Sequence, residues 1–202
     1  KYSISSIVEL LIWPINADTI LMNSSSSFPK KTFLVNIFSP TFMIRYAPGH
    51  MRNLGDKDVF LSYTNLYSMN KTSEIEDGLS TILGFDYKIN EKTENGEKEK
   101  LSLSLGQVFN YEENKDIPSK SSLDQKMSDL VGEIDYNFSE IGSINYKYSV
   151  DHNLNDINYN DFGANLILGS ANFNLKYLEE NNHIGSSNYI RSDVKIDIDD
   201  EN

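Results

Sequence analysis

The chain has 202 residues, a formal net charge of −12 and no cysteine. Its length suits one ordinary domain. The acidic balance argues against nucleic acid as a partner, because phosphate binding needs clustered Lys and Arg, and the missing thiols exclude disulfides and Cys-based metal sites.

Residues 1–53 read as the less regular part. The apolar opening over residues 6–15 is too short for a membrane helix and is interrupted by Glu9. It also lacks the basic flank and small-residue cleavage site of a signal peptide, so the chain, which starts at Lys1, reads as a fragment. Ser24 to Ser27 followed by Phe28-Pro29 marks a loop. Phe42, Ile44 and Tyr46 then alternate up to Ala47-Pro48-Gly49, where a strand should end. Gly55-Asp56-Lys57-Asp58 predicts a turn, Val59, Leu61, Tyr63 and Tyr67 a strand, and Leu79, Leu83, Phe85 and Tyr87 the next.

From Leu101 onward apolar residues take every second place. Leu103, Leu105, Phe109, Tyr136, Tyr146, Tyr148, Phe173 and Leu175 fall on one face. Ser102, Ser104, Asp135, Asn137, Asn145, Lys147, Asn172 and Asn174 fall on the other, and Val194, Ile196 and Ile198 close the series. The expectation is an all-β, antiparallel up-and-down meander of roughly ten strands, running as a regular series over residues 54–198 of a single 1–202 segment. No helix is convincing, since the helical spacing between Leu123 and Leu130 is short and lies in the longest loop.

Two architectures use this alternation. A soluble sandwich buries the apolar face in a protein core, whereas an outer-membrane barrel turns it to lipid and lines a wet lumen with the polar face. Mean hydropathy of −0.45 does not separate them, because only alternate residues of a spanning strand meet lipid. The connections favour the barrel. Gly169-Ser170 suits a two-residue hairpin and Ser139 to Gly142 is tight, while the stretches after Glu112, Asp151 and Glu179 are longer and polar. Short turns at one end and long loops at the other are a barrel trait. Residues 90–100, long and highly charged, fall on the short-turn side and break the rule. Twelve Tyr and ten Phe, many near strand ends, also fit the aromatic girdles of a barrel, although Tyr is a good strand former anywhere.

An ordered set of motifs runs along the chain: Phe38-Ser-Pro-Thr-Phe-Met-Ile-Arg-Tyr-Ala-Pro48, Asn65-Leu-Tyr-Ser68, Glu76-Asp-Gly-Leu79 with Gly84, Leu105-Gly-Gln107 and Ser128-Asp-Leu-Val-Gly132. In order and spacing it resembles the C-terminal barrel domain of the LptD family, the lipopolysaccharide-assembly or organic solvent tolerance proteins, over about Val8 to Leu178. The chain departs from that family at Met69-Asn-Lys-Thr72, where a Gly-x-Asp-Arg-like element is common, and in lacking cysteines. The family's periplasmic N-terminal domain and first barrel strands have no counterpart. The resemblance implies a non-enzymatic protein of the Gram-negative outer membrane. Its implied partners are lipopolysaccharide, an LptE-like lipoprotein, the periplasmic Lpt bridge components and outer-membrane lipid. The polar set beginning at Ser102 would then face the lumen.

Other candidate sites are weaker. His50, His152 and His183 never pair at metal-binding spacing, and Ser149-Val-Asp-His152 is a hairpin end rather than a triad, so no metal, catalytic residue or cofactor is expected. The acidic run over residues 197–201 lacks the Gly and spacing of a calcium loop, and residues 94–100 read as a solvated charge cluster. Asn70-Lys-Thr72 and Asn137-Phe-Ser139 match a glycosylation pattern of little weight in a bacterial chain. Arg45, Arg52 and Lys57, with His50, form the one basic stretch, a candidate contact for lipopolysaccharide phosphate or a partner loop. The rival readings are a different outer-membrane barrel, such as a porin-like channel, and a soluble β-sandwich binding module.

Overall fold

The computed structural model describes residues 33–55, 57–72, 75–93, 96–181 and 186–196. The apolar opening at 6–15, His183, Ile198 and the acidic run at 197–201 lie outside them. Eight strands form one sheet, each paired antiparallel with its sequence neighbours: β1 (Phe33–Ala47), β2 (Gly78–Thr93), β3 (Gly96–Asn110), β4 (Leu130–Asn137), β5 (Gly142–Val150), β6 (Ile157–Leu168), β7 (Ala171–Glu180) and β8 (Asn188–Ile196). The meander is as expected, with eight strands among the described residues where roughly ten were counted.

Two expectations need correction. Residues 90–93 and 96–100 are strand, not loop: β2 runs to Thr93, β3 begins at Gly96, and the charged residues pair across the two strands, with Lys88 Nζ 2.8 Å from Glu99 and Lys100 Nζ 3.1 Å from Glu91. Cross-strand ion pairs let a polar sequence continue a ladder that hydropathy alone would end. With this hairpin counted as tight, the short connections (94–95, 138–141, 169–170) all lie at one end and the longer ones (48–77, 111–129, 151–156, 181–187) at the other. Gly169 takes a positive φ of 60°, as a Gly-first hairpin turn requires.

The second correction concerns Val59 to Tyr67, which is not a strand. The segment has no sheet partner among the described residues and turns through a 3-10 helix at Tyr63–Asn65. Asn65 fixes the turn: its Nδ2 donates to the Phe60 carbonyl at 2.6 Å and its Oδ1 accepts from the Ser62 amide at 2.9 Å. Alternation there reflects one-sided burial, which an irregular segment lying on a wall satisfies as well as a strand does.

The core sits on the polar face of the sheet. Met43, Ile82, Val108 and Val131 from β1 to β4 meet Met51, Leu54, Val59, Leu61 and Leu66 from the 48–77 connection and Ile117 and Leu123 from the 111–129 connection. Each such apolar side chain removed from water contributes about 1.5–3 kcal/mol. The two long connections therefore fold back over the wall as a cover.

Candidate functional site

The pairing register assigns every strand residue to a face. Leu103, Ile134, Tyr146, Phe162, Tyr177 and Ile190 form one continuous row, and Leu101, Tyr136, Ile144, Ala164 and Leu175 the row beside it. On the opposite face run Ser102, Asp135, Asn145, Gly163 and Lys176, then Ser104, Glu133, Lys147 and Asp161. All eight residues of the predicted polar set share that second face, and the predicted apolar set shares the first.

Burial is the reverse of a soluble sheet. Ser102 and Ser104 are only 9% and 8% exposed, while Phe42, Leu83, Phe173 and Leu175 on the apolar face are 39%, 44%, 39% and 40% exposed. The apolar band also crosses the sheet obliquely. Phe85, near its middle on β2, lies level with Leu105, Gly132, Tyr148, Asn160 and Glu179, whereas on β7 the band has moved about five residues toward the short turns, to Leu175, Phe173 and Ala171. That is about one residue per strand, roughly 3.3 Å along for each 4.8 Å across, or a tilt of about 35°. Transmembrane barrels tilt their strands by about 35–45°.

The cover is seated by the motifs singled out in the sequence. Gly84 and Gly106 face each other across β2 and β3 and open a socket on the polar face. A Cβ on Gly84 would collide with Tyr67 Oη and lie 2.6 Å from the Leu105 carbonyl, and one on Gly106 would collide with Leu66 Cδ2. Leu66 and Tyr67 of the Asn-Leu-Tyr-Ser motif thus fill the space that two missing side chains leave. Beside them the Tyr63 hydroxyl donates to Asp86 Oδ1 at 2.8 Å, and Ser104 Oγ donates to the same oxygen at 2.6 Å. Burial first, and Asp86 second, push the Tyr63 phenol up, so it remains a donor.

The Ser-Asp motif anchors the other connection. Ser128 Oγ accepts the Val108 amide at 3.0 Å and Gln107 Nε2 donates to the Ser128 carbonyl at 2.7 Å. Asp129 Oδ2 accepts from Ser149 Oγ at 2.9 Å and from Asn158 Nδ2 at 2.8 Å.

Arg45, from the basic stretch, points inward. Its Nη2 lies 2.6 Å from Glu76 Oε2 and its Nε donates to Ser80 Oγ at 3.1 Å, with Lys71 Nζ 3.7 Å from the same Glu76 oxygen. Arg45, Lys71 and Glu76 are all buried. Burial lowers the Lys71 pKa, with Glu76 opposing that shift. Arg52 and Lys57 are exposed, so Arg45 does not join them on a surface. Sequence reasoning missed Asp86, Lys71 and Asp129; the available signal was an interior glycine in each of two adjacent strands, which marks close approach by another segment.

Phe60 of the 48–77 connection still packs on Tyr159 of β6, at 5.4 Å between ring centroids, but over β7, β8 and the short-turn ends of β5 and β6 the polar face is open among the described residues. Lys147 pairs with Glu133 at 2.8 Å, and Asn165 Nδ2 donates to both Asn172 and Asn174 at 2.7 Å, an amide ladder with no segment packed over it among the described residues. Asn137 Nδ2 donates to the Glu99 carbonyl at 3.1 Å.

A tilted antiparallel wall, apolar outside and polar inside, defines a section of a transmembrane β-barrel type of sheet. The model of the LptD family, LPS transport system D, matches residues 15–198, and the chain belongs to that family. No curated protein matches the chain. The family is a transport component of the Gram-negative outer membrane, which ties this fold to lipopolysaccharide transport. Among the described residues no helix is long and apolar enough to cross a membrane, which says nothing of strands.

Proposed function

We propose that this chain forms part of the wall of an outer-membrane barrel that delivers lipopolysaccharide to the outer leaflet, together with an LptE-like lipoprotein and a periplasmic bridge. The observation that carries the reading is the inverted burial of the sheet, whose polar face is covered around Ser102 and Ser104 while its leucine and phenylalanine face is bare. Turned to lipid, the bare face needs no protein partner. Turned to the lumen, Asp135, Asn137, Asn145, Lys147, Asn172 and Asn174 offer hydrogen bonds to saccharide and phosphate. Acyl chains then leave between strands, which spares the charges a passage through hydrocarbon. Arg52 and Lys57, exposed on the cover, suit contact with phosphate or with a partner loop. No group in this arrangement is assigned a catalytic role.

Depletion of the whole protein tests the reading. Surface lipopolysaccharide should fall while other barrels remain assembled. Normal surface lipopolysaccharide after depletion would reject it.

A further inference from the structure

On the outer face of β6, β7 and β8 two features lie one above the other, and the transport reading uses neither. The first is a carboxylate. Glu179 shares its row with Gly132, Tyr148 and Asn160, which places it on the apolar side of the sheet. Tyr177 Oη donates to its Oε2 at 3.0 Å, Asn160 Nδ2 to the same oxygen at 3.3 Å, and Asn181 Nδ2 to Oε1 at 3.3 Å. All three donors are neutral, and among the described residues no Lys or Arg pairs with this carboxylate. Glu179 lies six residues beyond Phe173 on β7. That is ~20 Å along a strand tilted by about 35°, or ~16 Å in height, just past the edge of an apolar band about 25 Å tall. A half-buried carboxylate at that level, held by donors but not neutralised, is set for a cation on the membrane side. Tyr146, tied to Asn160 through its hydroxyl, stacks on Tyr148 with ring centroids 5.5 Å apart, and the pair adds π faces to the same site.

The second feature is an apolar groove of about 320 Å³, walled by Ala164, Leu166, Phe173, Leu175, Ser192 and Val194. Ala164 and Ser192 flank Leu175 in one row, and their short side chains leave the hollow. Its near end, Leu175, is four residues below Glu179 on β7. The ~11 Å of height between them fits within one leaflet, which is ~15 Å deep when the hydrocarbon core is ~30 Å thick. We propose that this face binds one glycerophospholipid with a primary-amine head group, its ammonium on Glu179 and an acyl chain in the groove. An ammonium brings three N–H donors, and a carboxylate with about four acceptor sites, three of them used here, has room for one more. Charge sets the selectivity: neither the groove nor the surroundings of Glu179 present a Lys or Arg, so an anionic head group meets a like charge and no counter-charge. The lipid is a neighbour of the wall and not its cargo. The proposal rests on the reading that this face meets lipid, and on nothing about what is transported.

The test titrates the full-length protein in detergent micelles with phosphatidylethanolamine, with its N-acetylated form, which keeps the chains and loses the ammonium, and with phosphatidylglycerol, bound lipid being counted by native mass spectrometry. Phosphatidylethanolamine should fill a saturable site, and the other two should bind about ten-fold more weakly, the worth of a hydrogen bond to a charged group. Glu179→Gln, which keeps the shape and removes the charge, should bring phosphatidylethanolamine down to the level of its N-acetylated form. Ala164→Phe, which fills the groove, should weaken both several-fold while the barrel keeps the heat-modifiable migration of a folded protein. Equal binding of the amine lipid and its N-acetylated form, tighter binding of phosphatidylglycerol, or unchanged binding in either variant overturns the proposal. A spin label at residue 173, read for oxygen accessibility, reports lipid contact separately: a face that meets lipid but shows no preference for the amine sinks this proposal alone.

Discussion

The two halves of the sheet share one topology and one alternation, yet their polar faces have opposite fates. Over β1 to β4 that face is roofed by the 48–77 and 111–129 connections, which bring apolar side chains, a glycine socket and a buried ion cluster. At the long-loop ends of β5 and β6 the cover still reaches it, with Phe60 against Tyr159 and Asp129 bonded to Ser149 and Asn158, but over β7, β8 and the short-turn ends of β5 and β6 it stays bare and satisfies itself laterally, by the Asn165 ladder. A polar strand face therefore does not dictate its own environment. What decides is whether the neighbouring connection is long and carries apolar residues to lay upon it.

The difference can be broken from the covered side. Glu76→Ala should have the largest effect, because it strands Arg45 and Lys71 as buried charges; loss of one partner of a buried pair costs about 3–5 kcal/mol. Protease should then cut within 48–77 while the barrel wall resists. Leu66→Ala, at a fully buried position, should cost about 2–5 kcal/mol in the same assay. The corresponding truncation on the open side, Asn174→Ala, should cost under about 1 kcal/mol.

Glycine substitutions sharpen the contrast. Gly84→Ala drives a methyl group against the Leu105 backbone carbonyl and should cost about 1–3 kcal/mol. Gly163→Ala on the open half meets only the end of the Asn145 side chain, which can swing away, so it should be nearly neutral.

Lys71 gives the smallest and most diagnostic effect. Its pKa is lowered in the folded cover, so the protonated form is disfavoured there relative to the unfolded segment. Protection of the cover should rise as pH climbs through the folded pKa toward the ordinary lysine value. Lys71→Met should abolish that rise and leave the cover at least as stable at neutral pH, as hydrophobic replacements of buried charges often do. A cover whose protease protection falls over that alkaline range would show that the charged form is the favoured one.

Much of this architecture was legible in the sequence, because period-two alternation from Leu101 onward is a direct print of a two-faced sheet. The faces of Leu103 and Ser104, or of Phe173 and Asn174, needed nothing further. Residues 90–100 misled because cross-strand ion pairs look like a solvated turn until register is known. Val59 to Tyr67 misled because a segment packed against a wall repeats the strand signature. The motifs of the Asn65, Gly84, Gly106 and Ser128 regions were visible as a family pattern, but their common purpose was not. Gly84 and Gly106 form one socket only when β2 and β3 are aligned, and Arg45 reads as a surface cation until Glu76 is brought beside it.

The central claim is that the apolar face meets lipid while the polar face is roofed over β1 to β4 and the adjoining long-loop ends of β5 and β6, and open over β7, β8 and the short-turn ends of β5 and β6. These 202 residues hold no cysteine, so with cysteines elsewhere in the full-length protein replaced by serine, single cysteines at Leu103, Ser104, Phe173 and Asn174 can be spin-labelled in the membrane-embedded protein and read for accessibility to oxygen and to a water-soluble relaxant. Labels at 103 and 173 should favour oxygen, the label at 174 the aqueous relaxant, and the label at 104 neither until the cover is unseated by Glu76→Ala. Aqueous accessibility at 103 and 173 equal to that at 174 would contradict the account.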